Sequence, residues 1–211
     1  DKSLKDCIQC DATMHPSYRS VLGQLNWLQS RTQFQIAYSF SRCASAAAKP
    51  TIGDVRALNK AVRTVRSSPV VLRFHNIKVP GRPCRVLGIP DASYANNADK
   101  SSQRGQTIFL AAPRERSADT KGSLIDYESQ KIKRTTLSTT VSELYAFMKC
   151  FGTCQFLRGL WIDISGEASD LHMRTDANNL VTTASTTHHA RDDITDNTTR
   201  NTADNTAYNT R

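Results

Sequence analysis

The order in which two periodicities follow one another limits this chain more than any other feature. Between residues 69 and 127 of the 211-residue sequence, short β-rich runs are separated by Pro80-Gly81, Pro83, Pro113 and Gly122. The runs 70–74, 84–89, 106–111 and 124–127 read as strands. A long stretch over 140–164 then carries Leu144, Phe147, Met148, Phe151, Leu157, Leu160 and Trp161 at helical spacing, weakened locally by Gly152 and Gly159. A further strand over 171–174 and a helix over 178–184 follow. Strands, a long helix, a strand and a helix make an α/β order.

Upstream, three helices are expected before Ser68. Tyr18, Val21, Leu22, Leu25 and Leu28 keep helical spacing after Pro16-Ser17, and Ile36, Phe40 and Cys43 mark a second helix. Thr51 reads as an N-cap with Asp54 at the third helical position, ahead of the apolar face Val55, Leu58, Val62 and Val65. Lys60, Arg63 and Arg66 decorate its other faces, as a solvated basic surface or as a track for phosphates. From about His188 the pattern changes. Asn-Thr recurs at Asn197, Asn201, Asn205 and Asn209, and almost nothing after Ile194 is apolar. Such a segment cannot bury a core and is expected to be disordered. The expected organisation is a helical segment over 1–68, an α/β domain over 69–187 and a low-complexity tail over 188–211.

Hydrophobic residues make up 38% of the chain, enough for one core with a small helical appendage. Lys and Arg number 28 against 19 Asp and Glu, a net charge of +9 that favours an acidic partner, nucleic acid being the commonest. A merely basic surface is the alternative reading of that charge. No apolar run is long enough to cross a membrane. The amino terminus lacks the apolar core of a signal peptide. The six cysteines include one C-x-x-C, Cys7 and Cys10, with no second pair at zinc-finger spacing. Cys150 and Cys154 share a helix face, where thiols pack as small apolar groups. Reduced thiols in an intracellular protein, of cytoplasm or nucleus, are the expectation.

Acids being few, their positions stand out. Asp91 lies just past the strand 84–89, Glu143 in the first turns of the long helix, and Asp176 just past the strand 171–174. Two carboxylates at strand ends and one at a helix start can converge at a sheet edge. Converging carboxylates repel one another unless a cation neutralises them. Hard divalent metals prefer such oxygen ligands. Two ions about 3.5–4 Å apart can hold a scissile phosphate, activate a water and stabilise the leaving oxygen. Ordinary surface acids at strand and helix ends are the bland alternative.

Several blocks, taken in order, resemble the ribonuclease H region of copia-type retrotransposon polyproteins. They are Asp91-Ala92-Ser93-Tyr94-Ala95, Lys100-Ser101-Ser102-Gln103-Arg104-Gly105, Ser129-Gln130-Lys131, the run Thr136-Leu137-Ser138-Thr139-Thr140 ahead of Glu143, Leu157-Arg158-Gly159-Leu160, and Thr175-Asp176-Ala177-Asn178-Asn179. Upstream, residues 18–28, Gln35-Ile36-Ala37-Tyr38 and Ala61-Val62-Arg63-Thr64-Val65-Arg66 resemble the helices that follow the reverse transcriptase palm in the same polyproteins. The likeness covers about residues 17–187.

The resemblance implies a ribonuclease H-like fold, a mixed five-stranded sheet flanked by helices, preceded by a small helical segment. It implies a metal-dependent endonuclease that hydrolyses the RNA strand of RNA–DNA hybrids. Asp91, Glu143 and Asp176 would hold two Mg²⁺ or Mn²⁺ ions. Asp193 is the nearest match to the fourth catalytic acid, and it lies closer to Asp176 than the family spacing. Lys100, Arg104, Lys131, Lys133 and Arg134 flank the site as candidate phosphate contacts. The implied partners are the hybrid and the reverse transcriptase portion of the same polyprotein, with no membrane. Two departures stand out: the polymerase's paired-Asp motif is absent, and the Asn-Thr repeat replaces the family's final helix. The competing expectation is therefore an inactive remnant that binds nucleic acid or scaffolds a polymerase. His188 and His189 are candidates for proton shuttling or product release, or an inert polar pair.

Overall fold

The computed structural model describes residues 5–97, 99–113 and 121–177. The helix expected over 178–184, the residues His188, His189 and Asp193, and the tail over 188–211 lie outside the described residues. One compact unit ends at Arg174, and a second begins at Thr175, of which Thr175, Asp176 and Ala177 are described.

Ahead of the sheet lie α1 (Met14–Arg31), α2 (Ala37–Ser45) and α3 (Ile52–Ser67), with a 3₁₀ turn over Phe34–Ile36 ahead of α2. Asp11 Oδ1 accepts the backbone N–H groups of Thr13 and Met14 and so satisfies donors at the start of α1. Pro16 sits in the first turn, where its missing N–H costs nothing. Thr51 and Asp54 close a reciprocal capping box: Thr51 Oγ1 accepts from the Asp54 N–H at 3.3 Å, and Asp54 accepts from the Thr51 N–H at 2.9 Å. The three helices bury Tyr18, Leu22, Leu25, Ile36, Cys43, Leu58 and Ala61 against one another. The Tyr18 hydroxyl donates to the Cys43 carbonyl at 2.8 Å, and burial pushes its pKa well up.

The remainder is mixed α/β. Strands β1 (Cys84–Ser93), β2 (Gln103–Ala111), β3 (Gly122–Lys131) and β4 (Ser169–Met173) form a sheet in the order β3-β2-β1-β4. β1–β2 and β2–β3 are antiparallel, and β1–β4 is parallel. The long helix α4 (Thr139–Ser165) connects β3 to β4 and packs on β1, β2 and β4. α2 packs against β3. Gln103 Nε2 ties these parts together by donating to Ser41 Oγ on α2 and Ser129 Oγ on β3. Among the described residues no helix is long and apolar enough to cross a membrane, and no disulfide joins any of the six cysteines.

The described residues hold four strands, not the five expected. The run 70–74 has strand-like composition but no ladder. Its Val70 N–H and C=O are taken by the Gln33 side chain at 3.2 and 3.3 Å, and Val71 and Phe74 are exposed. A side chain has supplied the hydrogen bonds that a neighbouring strand would otherwise have to supply. The true strands outrun their apolar cores because backbone pairing continues through polar residues, as in Asp91↔Gly105, Ala92↔Arg104 and Ser93↔Gln103.

The buried face of α4 differs from expectation in part: Cys150, Cys154, Leu157 and Trp161 pack as expected, whereas several large apolar residues do not. Ala146, Cys150 and Cys154 are at most 1% exposed against the sheet, with Leu157 and Trp161 packed beside them. Leu144, Met148 and Leu160 face solvent. Close approach explains the small residues. A Cβ added to Gly88 of β1 would lie 2.6 Å from Cys154 Sγ, 2.9 Å from Met173 Sδ and 3.0 Å from Cys150 Sγ. At its far end α4 stops at Gly166, whose φ of 68° suits glycine and whose N–H returns to the Ile162 carbonyl. Gly88→Ala is expected to destabilise the fold by about 1–3 kcal/mol through overpacking. In a Cys154→Ala background the added loss should be smaller, as read from urea unfolding midpoints of the four proteins in the cycle.

Candidate metal centre

Asp91 lies near the end of β1, opposite Gly105 of β2 in the antiparallel ladder, and is exposed. Asp176 lies three residues beyond the end of β4. The parallel pairing of β4 with β1 is extended there by the Arg174 N–H, which donates to the Gly88 carbonyl at 2.9 Å. Thr175 Oγ1 then accepts the Ala177 N–H at 3.1 Å, turning the chain around an exposed Asp176.

Glu143 is half-buried in the first turns of α4, and its neighbours explain where that helix starts. Ser138 is the N-cap, with its hydroxyl accepting the Val141 N–H. Ser142, fully buried beside Glu143, places Oγ within hydrogen-bond distance of Thr136 Oγ1 (2.9 Å), the Ser138 carbonyl (3.2 Å) and Ser102 Oγ (3.3 Å). Ser102 in turn meets Thr136 Oγ1 at 2.7 Å and accepts the Ala95 N–H at 3.1 Å. Three hydroxyls thus fasten the start of α4 to the β1–β2 connection, the stretch that follows Asp91. Sequence reasoning did not single out Ser102 and Ser142. The signal was present in the density of Ser and Thr over residues 135–142, but only tertiary pairing distinguishes a buried hydroxyl cluster from a polar loop.

The outcome is a cluster. Asp91, Glu143 and Asp176 each offer one carboxylate oxygen, and these oxygens lie within 4.8 Å of one another. The ion pairs found among the described residues, Arg56–Asp6, Lys78–Glu167, Arg104–Glu128 and Lys131–Asp99, leave Asp91 and Asp176 out. An all-oxygen donor set of high negative charge fits a hard divalent cation and suits a thiophilic one poorly. The triad can hold a metal ion.

The basic residues flanking the site divide into two groups. Lys100, Lys133 and Arg134 are exposed, and Lys100 sits at a φ of 61° in the β1–β2 turn. Arg104, expected among the phosphate contacts, is instead 5% exposed, bound to Glu128 at 2.8 Å and to Gln130. Its guanidinium is turned to the sheet and not to solvent. Lys131 is paired with Asp99. Hydrogen bonds from Lys131 and Ser101 hold the Asp99 carboxyl well below the usual carboxylate range.

No protein-family model matches the chain, and no curated protein matches it.

Ser142→Ala is expected to cost about 1 kcal/mol of stability and to weaken Mn²⁺ binding by up to about tenfold, the range for residues that orient metal ligands from behind. Ser142→Thr, which keeps a hydroxyl, should restore part of the affinity. Calorimetric Mn²⁺ titration of the two variants checks this; equal affinity in Ser142→Ala and the parent protein would show that the cluster does not position Glu143.

Proposed function

We propose that this chain is a ribonuclease H-like nuclease domain of a copia-type retrotransposon polyprotein, together with helices that follow the reverse transcriptase palm. On this reading it hydrolyses the RNA strand of RNA–DNA hybrids inside the cell, in cytoplasm or nucleus. The observation that carries the reading is the convergence of Asp91, Glu143 and Asp176 to within 4.8 Å. These acids come from three sequence blocks that resemble the family independently, and they meet at one end of a mixed sheet.

Asp91, Glu143 and Asp176 would hold the metal, Mg²⁺ or Mn²⁺, their mutual repulsion supplying the driving force for taking up a dication. A bound pair of such ions would lower the pKa of the attacking water and stabilise the departing 3′ oxygen. Asp193, the candidate fourth acid, lies outside the described residues. Lys100, Lys133 and Arg134 present exposed charge for phosphate contacts that are indifferent to base identity. Discrimination of RNA from DNA would rest on the 2′-hydroxyl and on hybrid shape.

A labelled RNA–DNA hybrid incubated with Mg²⁺ or Mn²⁺ is expected to be cut. Asp91→Asn should reduce the rate about a hundredfold or more, since the metal's several kcal/mol of charge stabilisation is withdrawn. Cleavage by Asp91→Asn at the parent rate would sink the assignment. Hybrid bound but never cut by the parent protein would identify an inactive nucleic-acid-binding remnant.

A further inference from the structure

Asp91 borders a second feature that the carboxylate cluster does not use. A cleft of about 310 Å³ opens between the 3₁₀ turn with α2 on one side and strands β1–β3 on the other, lined by Phe34, Tyr38, Ile89, Asp91, Gly105 and Tyr127 among others. That volume is at the lower end of the range of about 300–1,000 Å³ typical of small-molecule sites.

The walls are aromatic and partly open. Phe34 and Tyr38 are 39% and 44% exposed. Phe34 meets Tyr127 edge-on, with centroids 5.8 Å apart and planes at 66°. Tyr127 is held in turn by its hydroxyl, which donates to the Gln29 carbonyl. The floor is Gly105, the ladder partner of Asp91. A Cβ there would meet nothing nearer than the Glu128 carbonyl oxygen at 3.8 Å and the Asp91 carbonyl oxygen at 4.0 Å. Packing does not require a glycine at this position, and its effect is to leave the cleft deeper.

The polar groups of the cleft narrow the ligand class. No Lys or Arg lines it, and its charged residues are the carboxylates Asp91 and Glu128, so a phosphate is disfavoured there. Gln35, also on the wall, has a buried Oε1 with no hydrogen-bond partner. Its amide cannot simply be reversed. Nε2 donates to Gln33 Oε1 at 2.8 Å and to the Ser68 carbonyl at 3.1 Å, and Gln33 is itself fixed by the Val70 N–H. The cleft therefore offers aromatic walls and no cation, which suits a neutral planar ring. Tyr38 also lines an adjoining cleft of about 490 Å³ whose charged residues are Arg42, Lys131, Asp54 and Asp99, so that cations for an attached sugar–phosphate stand there beside carboxylates.

We infer that the cleft beside Asp91 is a nucleobase subsite, which stacks one unpaired base of a nucleic-acid strand on Phe34 and Tyr38 next to the metal centre. The choice of a nucleic-acid ligand rests on the nuclease reading above. A base bound there sets the strand's position relative to the carboxylates without reading a duplex, and it favours substrates with a single-stranded flank.

The test uses the full chain and a short single-stranded oligonucleotide carrying one 2-aminopurine, with Ca²⁺ as the only divalent ion. Stacking of that base on the rings should quench its fluorescence as protein is added. Tyr38→Ala, which removes a half-exposed ring, and Gly105→Val, which fills the floor, should each weaken the quenching titration about tenfold, the loss expected for one stacked base. Tyr38→Phe, which keeps the ring, should retain it. Circular dichroism spectra and thermal midpoints report whether each variant is folded. No quenching by the parent protein, or quenching unchanged in folded Tyr38→Ala and folded Gly105→Val, overturns the inference. Hybrid cleavage without quenching would remove the base subsite and leave the nuclease. Quenching that the variants lose, in a protein that cuts no hybrid, would keep the subsite and remove the nuclease.

Discussion

The tight crossing of α4 over β1 is the constraint on which the remaining geometry depends. At Gly88 the helix comes so near the strand that a methyl group would clash with two cysteine sulfurs and a methionine. The helix makes this contact with Cys150 and Cys154, neither of them bulky. Protein interiors resist small changes in volume, so this approach fixes the helix over the sheet. β4 completes the arrangement by pairing in parallel with β1, and the Arg174 N–H returns to the carbonyl of the same Gly88. The strand that carries Asp91, the helix that carries Glu143 and the strand that leads to Asp176 therefore share one anchoring point.

From that anchor, local devices set the position of each acid along its element. The hydroxyl cluster of Ser102, Thr136 and Ser142 fixes where α4 begins, and hence where Glu143 projects. Buried hydroxyls left unpaired would be costly, so a fully paired cluster specifies one arrangement of the two segments it joins. The exposed acids Asp91 and Asp176 need no such support, because the ends of their strands determine their reach. The resulting concentration of negative charge is what makes the end of the sheet suited to a cation, on a chain whose overall charge is positive.

The helical segment has a core of its own but is not independent of the sheet. Gln103 reaches Ser41, and Tyr127 reaches the Gln29 carbonyl and the edge of Phe34. These contacts bring aromatic residues of the segment to the same end of the sheet as Asp91, which creates a cleft that neither part would have alone. Arg104 shows the converse. Its sequence neighbourhood suggests a surface cation, yet it serves as the buried counter-charge to Glu128.

Much of this was legible in the chain. Helical periodicity located α1, α3 and α4 to within a few residues, and the Thr51-Asp54 spacing named the capping box, because both depend only on neighbours within one or two turns. Asp91, Glu143 and Asp176 stand at element ends, a local property, and the sequence blocks around them that resemble the copia-type ribonuclease H region distinguish them from ordinary surface acids. What the sequence could not determine was everything that depends on a distant partner. Residues 70–74 have the composition of a strand, but they form no ladder, and at Val70 the Gln33 side chain takes both backbone groups. The apolar positions of α4 suggested Leu144, Met148 and Leu160 as core, but the glycine on the strand beneath selected a face of small residues. Whether three acids far apart in sequence share one site, and whether an aromatic turn stands beside them, is decided by packing between elements; periodicity and composition carry no information about such distances.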